Sequence, residues 1–141
     1  MNILFLCVGN SARSQIAEGL AKDMMPKTFN IRSAGSNPEE IVHKDAISVM
    51  ADIGIDISSC KPKSIDSLDK ELVDDLDYVI TLCAEEVCPI IPPTTKVFHW
   101  PNEDPDNDLL NDMQSKNAFT KTRNNIFKLL KKFLISENIL N

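Results

Sequence analysis

Residues 2–14, NILFLCVGNSARS, decide the fold, because they join a buried strand, a tight turn and a helix start. The apolar run 2–7 is typical of a parallel strand that is buried on both faces. In the turn that follows, Gly9 permits backbone conformations closed to most residues, and Asn10 tolerates a left-handed one. Apolar residues then recur at helical spacing until Pro26, at Ile16, Ala17, Leu20, Ala21 and Met24.

Strand-like and helix-like segments alternate along the rest of the chain. This alternation predicts an α/β domain of three layers, in which a four-stranded parallel sheet carries helices on both faces. We expect residues 1–141 to form this single domain. The further predicted strands are 29–33, which ends at Ala34-Gly35, 78–83 and 96–100. The predicted helices are 45–53, 65–76 and 116–135, and residues 102–112 are a polar, acidic loop.

Composition and charge exclude several classes of function. The chain of 141 residues is 43% hydrophobic and 26% charged, with a formal net charge of −6. Such an acidic protein lacks the basic surface that nucleic acids or anionic lipids require. The apolar run at 3–8 is too short to span a membrane and has no basic flank typical of a signal peptide. We therefore expect a cytoplasmic protein whose four cysteines are reduced at rest.

Three chemical elements are predicted to meet at one edge of the sheet. Ligands of open α/β sheets bind at the carboxyl ends of the strands. Cys7 and Cys83 each end a predicted strand, and the acidic loop follows the strand that ends at Trp100. Two thiols and a carboxylate cluster are thereby predicted to share one site.

The spacing Cys-x5-Arg from Cys7 to Arg13 points to anion chemistry. Between a buried strand and a helix, the loop amides and the helix N-terminus favour a tetrahedral oxyanion. Arg13 can hold two of its oxygens in a planar fork, which lysine cannot. The same positive field favours a thiolate at Cys7, to which Ser14 can donate a hydrogen bond. The alternative is a phosphate-binding turn in which Cys7 is only a buried strand end. We call residues 8–14 the oxyanion loop.

The chain resembles the low-molecular-weight tyrosine phosphatase fold and, within it, the cysteine-based arsenate reductases. The resemblance runs from the first strand to the last helix. It rests on the oxyanion loop with Gln15-Ile16-Ala17-Glu18-Gly19, and on Arg32-Ser33-Ala34-Gly35, Gly54-Ile55-Asp56-Ile57-Ser58, Tyr78-Val79-Ile80-Thr81-Leu82-Cys83 and His99-Trp100 leading to Asp104-Pro105.

The resemblance implies a role for each site residue. Cys7 would be the nucleophile, Arg13 the oxyanion clamp, Ser14 the thiolate stabiliser and Asp104 the general acid. Spacing alone does not separate Asp104 from Asp106, although the following proline restricts the backbone of Asp104. The oxyanion-binding residues would be Val8, Gly9, Asn10, Ser11, Ala12, Arg13 and Ser14.

Cys83 and Cys88 are only five residues apart, and such a pair of cysteines suits a thiol relay. In the predicted cycle, Cys7 attacks arsenate, Cys83 then attacks the Cys7 sulfur as arsenite leaves, and Cys88 releases Cys7. A regular helix over residues 83–88 would hold the Cα atoms of Cys83 and Cys88 roughly 8–9 Å apart, which is too far for a disulfide. We therefore expect residues 83–92 to rearrange on oxidation. The external reductant would be thioredoxin, with glutaredoxin and glutathione as the alternative.

The sequence predicts no tightly bound cofactor and a monomer. Some relatives bind potassium, and the matching positions here are Asn10, Glu18, Ser33 and Asp66. No family role transfers to Cys60, while His43, His99 and Trp100 are predicted to be capping, partly buried or core residues.

Three other functions are compatible with the sequence. A phosphotyrosine phosphatase is the main alternative, although the residues after Pro105 lack the aromatic side chains such enzymes use against the substrate ring. Two further alternatives are a zinc site built on Cys83 and Cys88, and a redox sensor without turnover.

Overall fold

The computed structural model of the protein describes residues 1–83 and 93–139. Cys88 and nearly all of the segment predicted to rearrange lie outside the described residues. Within the described part, no helix has the length and apolar character needed to cross a membrane.

Four parallel strands form the sheet in the order β2-β1-β3-β4. They are β1 (Asn2–Cys7), β2 (Asn30–Gly35), β3 (Tyr78–Thr81) and β4 (Lys96–His99). The helices are α1 (Arg13–Met24), α2 (Lys44–Ala51), α3 (Lys70–Asp74) and α4 (Asp112–Ser136), and a 3₁₀ helix spans Ile65–Ser67. The predicted fold class is confirmed.

Helices cover both faces of the sheet. Helices α1, α2 and α4 pack together over one face, around a core that includes the fully buried Phe5, Ile16 and Phe119. The 3₁₀ helix and α3 cover the other face with a smaller apolar cluster around Leu4, Leu6 and Val79. Because β1 is central and buried on both sides, its sequence is a continuous apolar run rather than an alternating one.

The predicted helix at 65–76 is wrong as one element. It is divided into the 3₁₀ helix and α3 by extended backbone at Leu68 and Asp69, with ψ of 146° and 132°. The Ser67 hydroxyl also donates to the Ser64 carbonyl at 2.7 Å, a local bond that competes with helical pairing. The break lets Ile65 and Leu68 pack on the small cluster together with the apolar side chains of α3, Leu72 and Val73.

Element ends differ from the prediction by a few residues. Helix α4 begins at Asp112 because Asn111 and Gln114 form a reciprocal capping box, which the sequence prediction missed. Helix α2 ends before Gly54, whose φ of +80° marks the predicted stop. Strand β3 ends at Thr81, so Cys83 lies two residues beyond the ladder rather than at its last position.

The topology sets the place of the site. From β1 the chain moves outward to β2 and then crosses back to β3, on the other side of β1. The strand order therefore reverses at the carboxyl end of β1, where open α/β sheets form a crevice for ligands. Cys7 is the last residue of β1 and lines the pocket at that position.

Candidate active site

The oxyanion loop turns at Asn10, not at Gly9. Asn10 has a φ of +49°, in the left-handed region that asparagine tolerates, whereas among the glycines that the structure describes only Gly54 has a positive φ. The predicted conformational role of Gly9 is therefore wrong. What Gly9 provides is room, since a Cβ there would lie 3.1 Å from Cγ of Glu39.

The Asn10 side chain fastens the loop from inside. Its amide nitrogen donates to the hydroxyls of Ser14 at 2.7 Å and Ser33 at 3.0 Å. Its amide oxygen accepts from the backbone N–H of Lys63 at 2.8 Å and from Gln15 at 3.2 Å. Asn10 is fully buried, so these bonds replace water and rigidify the loop.

Gly35 is a site residue that reasoning from the residues did not single out. A Cβ at Gly35 would lie 2.3 Å from the carbonyl oxygen of Val8, a contact that the backbone does not permit. The end of β2 can therefore approach the oxyanion loop this closely only because residue 35 is a glycine. The signal lies in the Arg32-Ser33-Ala34-Gly35 motif, which by itself indicates only the family resemblance.

Helix α1 begins without a side-chain cap. The N-cap Ala12 makes no side-chain hydrogen bond to the first turn, which starts at Arg13. First-turn amides without intrahelical partners are donors for an anion, and the helix dipole adds a partial positive charge there. An oxyanion would complete this helix end.

Cys7 is buried and surrounded by donors. It is 3% exposed, and its Sγ lies 2.9 Å from Oγ of Ser14, the predicted contact. The pKa of Cys7 is lowered to about 6, chiefly by a hydrogen bond from the Cys83 thiol. The Ser14 hydroxyl and the backbone amides of Ser14 and Asn10 add to this effect, and burial opposes it. Cys7 is consequently a thiolate at neutral pH.

Cys83 lies next to Cys7 and is held in the opposite protonation state. Its Sγ accepts a hydrogen bond from the backbone N–H of Val8 at 3.3 Å. The pKa of Cys83 is raised far above the ordinary range, because its thiol proton is shared with Cys7, because it is buried and because the Cys7 thiolate is close. The Val8 amide and the Arg13 charge act in the opposite direction. The two cysteines therefore hold one proton at neutral pH, and it belongs to Cys83.

Alkylation of reduced protein tests this charge state. Because the pKa of Cys7 is lowered, its modification by iodoacetamide should fall only as pH drops through about 6, rather than through the ordinary thiol value of about 8.5. Mass spectrometry of the Cys7 peptide gives the rate. Cys83→Ala, which removes the donor, should move the midpoint upward, while Cys83→Ser keeps an O–H donor. A wild-type midpoint above pH 8 would contradict the assignment.

Arg13 connects the oxyanion loop with the acidic loop. Its side chain is 12% exposed, and Nη1 donates to the carbonyl of Asn102 at 2.8 Å. Its Nη2 lies 3.6 Å from Oδ2 of Asp104. Asn102 is a second contact that sequence reasoning missed, because a backbone carbonyl leaves no sequence signature. We call residues 102–111 the acid loop.

A pocket of about 130 Å³ opens over the Cys7 sulfur. Both Asp104 and Asp106 line it, so the structure brings both candidate acids to the site. Asp104 faces Arg13, while Asp106 Oδ1 lies 3.5 Å from Nε2 of His43. The other lining residues are Val8, Gly9, Ser11, Ala12, Asn37 and Glu39.

The four positions that match the potassium ligands of relatives have different surroundings. The Asn10 amide oxygen is already used by two N–H donors, and the Ser33 hydroxyl accepts from Asn10. Glu18 is paired with Lys22 at 2.8 Å and has Nζ of Lys63 at 3.8 Å from its other oxygen. Asp66 is exposed in the 3₁₀ helix. The Oε1 atom of Glu18 is buried and has no hydrogen-bond partner among the described residues, although the Lys63 ammonium lies within ion-pair distance of it.

The remaining candidates lie outside the pocket. Cys60 is partly buried and packs against the main core. Within residues 1–83 and 93–139, no three His, Cys, Asp or Glu side chains are grouped to hold a metal ion. His43 caps α2, as predicted, and Trp100 packs edge-on against Phe133.

A parallel α/β sheet with a Cys-x5-Arg loop at the end of its central strand defines a class of proteins that bind tetrahedral oxyanions beside a thiolate. The model of the family named low molecular weight phosphotyrosine protein phosphatase matches residues 2–139. The chain belongs to this family.

Curated relatives carry a narrower description. An arsenate reductase of Halalkalibacterium halodurans is 38% identical over 133 residues, which cover 93% of this chain and 93% of that protein. An arsenate reductase of Bacillus subtilis is 36% identical over 133 residues, again 93% of each chain. The similarity therefore extends over nearly the whole length of both relatives.

Solved structures agree with the fold. An arsenate reductase in a phosphate-binding state is 31% identical with a TM-score of 0.75, covering 96% of this chain and 98% of that one. A thioredoxin-dependent arsenate reductase of Corynebacterium glutamicum is 31% identical with a TM-score of 0.69, covering 95% of this chain and 62% of that one. An arginine phosphatase that is 20% identical shares the fold, with a TM-score of 0.72.

Proposed function

We propose that this protein is an arsenate reductase that converts arsenate to arsenite through a relay of Cys7, Cys83 and Cys88. The observation that carries the proposal is the second sulfur at the site. Cys83 donates to Cys7 and accepts from the Val8 amide, so it lies within the oxyanion loop's own hydrogen-bond network. Phosphoester hydrolysis needs one thiol, whereas reduction needs a second thiol beside the first.

The first step is attack of the Cys7 thiolate on arsenic. Arsenate would bind to the oxyanion loop amides and to the Arg13 fork. An As–S bond forms, and a hydroxide leaves as water after protonation by Asp104. The Cys7 thiolate has then been consumed, and it no longer disfavours ionisation of Cys83. The Val8 amide and Arg13 remain, and both lower the pKa of Cys83.

The second step is the reduction itself. The Cys83 thiolate attacks the Cys7 sulfur, an S–S bond forms, and the As–S electron pair stays on arsenic, which leaves as arsenite. Two thiols have lost two electrons and arsenic has gained two. Cys88 then attacks Cys83, which frees Cys7 and leaves a Cys83–Cys88 disulfide. This order makes Cys83 reactive only after Cys7 has bound substrate.

The reductant of that last disulfide is thioredoxin in our proposal, with glutaredoxin and glutathione as the alternative. The C. glutamicum relative is described as thioredoxin-dependent, which supports the first. The relay requires free thiols at rest, which favours a cytoplasmic location. We propose a monomer formed by a single domain over residues 1–141.

Arsenate-dependent NADPH oxidation tests the function directly. Reduced protein is mixed with arsenate and with either the thioredoxin or the glutaredoxin system. We expect turnover with the thioredoxin system, loss of turnover in Cys7→Ser and Cys88→Ser, and little change in Cys60→Ser. Hydrolysis of small aryl phosphates without arsenate-dependent NADPH use in either system would instead identify a phosphatase.

Asp104 and Asp106 are distinguished by paired substitutions. Asp104→Asn removes the proposed proton donor next to Arg13, so turnover should fall by roughly a hundredfold. Asp106→Asn leaves that donor in place and should cost less. Steady-state kcat for arsenate gives both values. A larger loss in Asp106→Asn would reverse the assignment.

Potassium should not be required. Lys22 forms an ion pair with Glu18, the Lys63 ammonium lies 3.8 Å from the other carboxylate oxygen, and the Asn10 amide oxygen already accepts two N–H groups. We expect equal kcat and equal thermal midpoints in potassium chloride and in choline chloride at the same ionic strength. A rise of either value specific to potassium would contradict this expectation.

A further inference from the structure

His43 lies between the oxyanion loop and the acid loop. Its backbone N–H donates to the carbonyl of Ser11 at 2.9 Å, so its main chain is fixed to the oxyanion loop. Its side chain caps α2, because Nδ1 accepts the backbone N–H of Asp45 at 3.0 Å. Capping and loop attachment together leave the imidazole in a defined place.

The ring plane of His43 is also fixed. It stacks on Phe119, with centroids 4.5 Å apart and an interplanar angle of 29°. Phe119 belongs to α4 and is fully buried. Asp45 is held in turn, because the Ser115 hydroxyl of α4 donates to its carboxylate at 2.5 Å. Helices α2 and α4 therefore hold the imidazole between them.

The other ring nitrogen is directed at the acid loop. Since Nδ1 accepts an amide proton, the proton of the neutral ring is assigned to Nε2. Nε2 lies 3.5 Å from Oδ1 of Asp106. The backbone N–H of Asp106 donates to Oδ1 of Asp104 at 3.0 Å. A continuous path thus joins α2 to the carboxyl that faces Arg13.

We propose that His43 is a positioning residue that holds the acid loop through Asp106 and thereby orients Asp104 over the oxyanion pocket. The catalytic meaning of this orientation rests on the proposed function. The side chains of Asp104 and Asp106 are 56% and 49% exposed, so burial alone does little to fix them. A partly buried ring, 22% exposed, provides the rigid partner.

His43→Asn separates the two jobs of the residue. Asparagine is among the best N-cap residues, so α2 keeps an acceptor for the Asp45 amide. The shorter side chain cannot reach Asp106. We expect a thermal midpoint lower by about a few degrees, because the stack on Phe119 is lost, together with faster hydrogen exchange of the Asp106 amide measured by NMR and roughly tenfold lower kcat for arsenate. His99→Asn, at the only other histidine of the sequence, is the matched control. It should change neither the Asp106 amide exchange nor kcat.

A double-mutant cycle shows whether His43 acts through Asp104. In the Asp104→Asn background, His43→Asn should cause little further loss of kcat, because the group it orients is already gone. A purely structural role would instead multiply the two losses. Multiplied losses would overturn the proposal, whatever the exchange result.

The exchange measurement separates this inference from the proposed function. Unchanged Asp106 exchange in His43→Asn would overturn the tether, even in a fully active reductase. If Asp104→Asn leaves kcat unchanged, or if the protein reduces no arsenate, the acid assignment or the proposed function fails. In either case the amide exchange alone still decides whether His43 holds the acid loop.

Discussion

Cys83→Ser should lower arsenate reduction by roughly three orders of magnitude while the oxyanion loop keeps its chemistry. The variant retains a hydroxyl that can donate to the Cys7 thiolate, so the nucleophile stays ionised. It cannot form the Cys7–Cys83 disulfide, so arsenic has no source for its two electrons. Substrate would bind and react once, and turnover would stop at the Cys7 adduct.

Two matched variants make this result specific. Hydrolysis of 4-nitrophenyl phosphate should stay within about threefold of wild type in Cys83→Ser, because that reaction needs only Cys7, Arg13 and an acid. Cys7→Ser should abolish both reactions. Cys60→Ser, which removes a thiol packed against the core, should abolish neither. Sustained arsenate turnover in Cys83→Ser would refute the relay.

Arg13→Lys should reduce kcat/KM for arsenate by roughly a hundredfold or more. Arg13 is mostly buried and already spans from the oxyanion loop to the Asn102 carbonyl. Its planar fork matches two oxygens of a tetrahedral anion, whereas a lysine ammonium offers a single point charge. The substitution keeps the charge and removes the geometry.

Binding and catalysis are measured separately for this variant. Competitive inhibition by phosphate reports on oxyanion affinity, and kcat at saturating arsenate reports on the reaction. We expect both to suffer, since the same fork holds the ground state and the developing charge. Arg32→Lys is the control, because Arg32 makes its side-chain bond to the Ile31 carbonyl, away from the pocket. Equal effects of the two substitutions would contradict the role of the Arg13 guanidinium in holding the oxyanion.

Local patterns predicted the scaffold well. The apolar run 2–7 became a central strand, and the predicted helix 116–135 lies within α4. The break at Leu68 and the capping box at Asn111 were missed, because each depends on a few specific side-chain bonds rather than on periodicity.

The chemistry of the oxyanion loop was also readable from the sequence. Cys7, Arg13 and Ser14 are close in the chain, so their meeting needs only a strand, a turn and a helix. An unusual backbone conformation was predicted at both Gly9 and Asn10, but of these two residues only Asn10 has a positive φ. Spacing alone left Asp104 and Asp106 unresolved, and both line the pocket.

The sequence by itself determined the Cys-x5-Arg loop and the strand, turn and helix start that hold it, because these are encoded within one short run of residues. Only the tertiary structure decided the state of the site: the Cys83 thiol beside Cys7, Lys63 near the Glu18 carboxylate, and His43 against Asp106. These contacts join residues 45 to 76 positions apart, and a pKa or an ion pair depends on distances that folding alone creates.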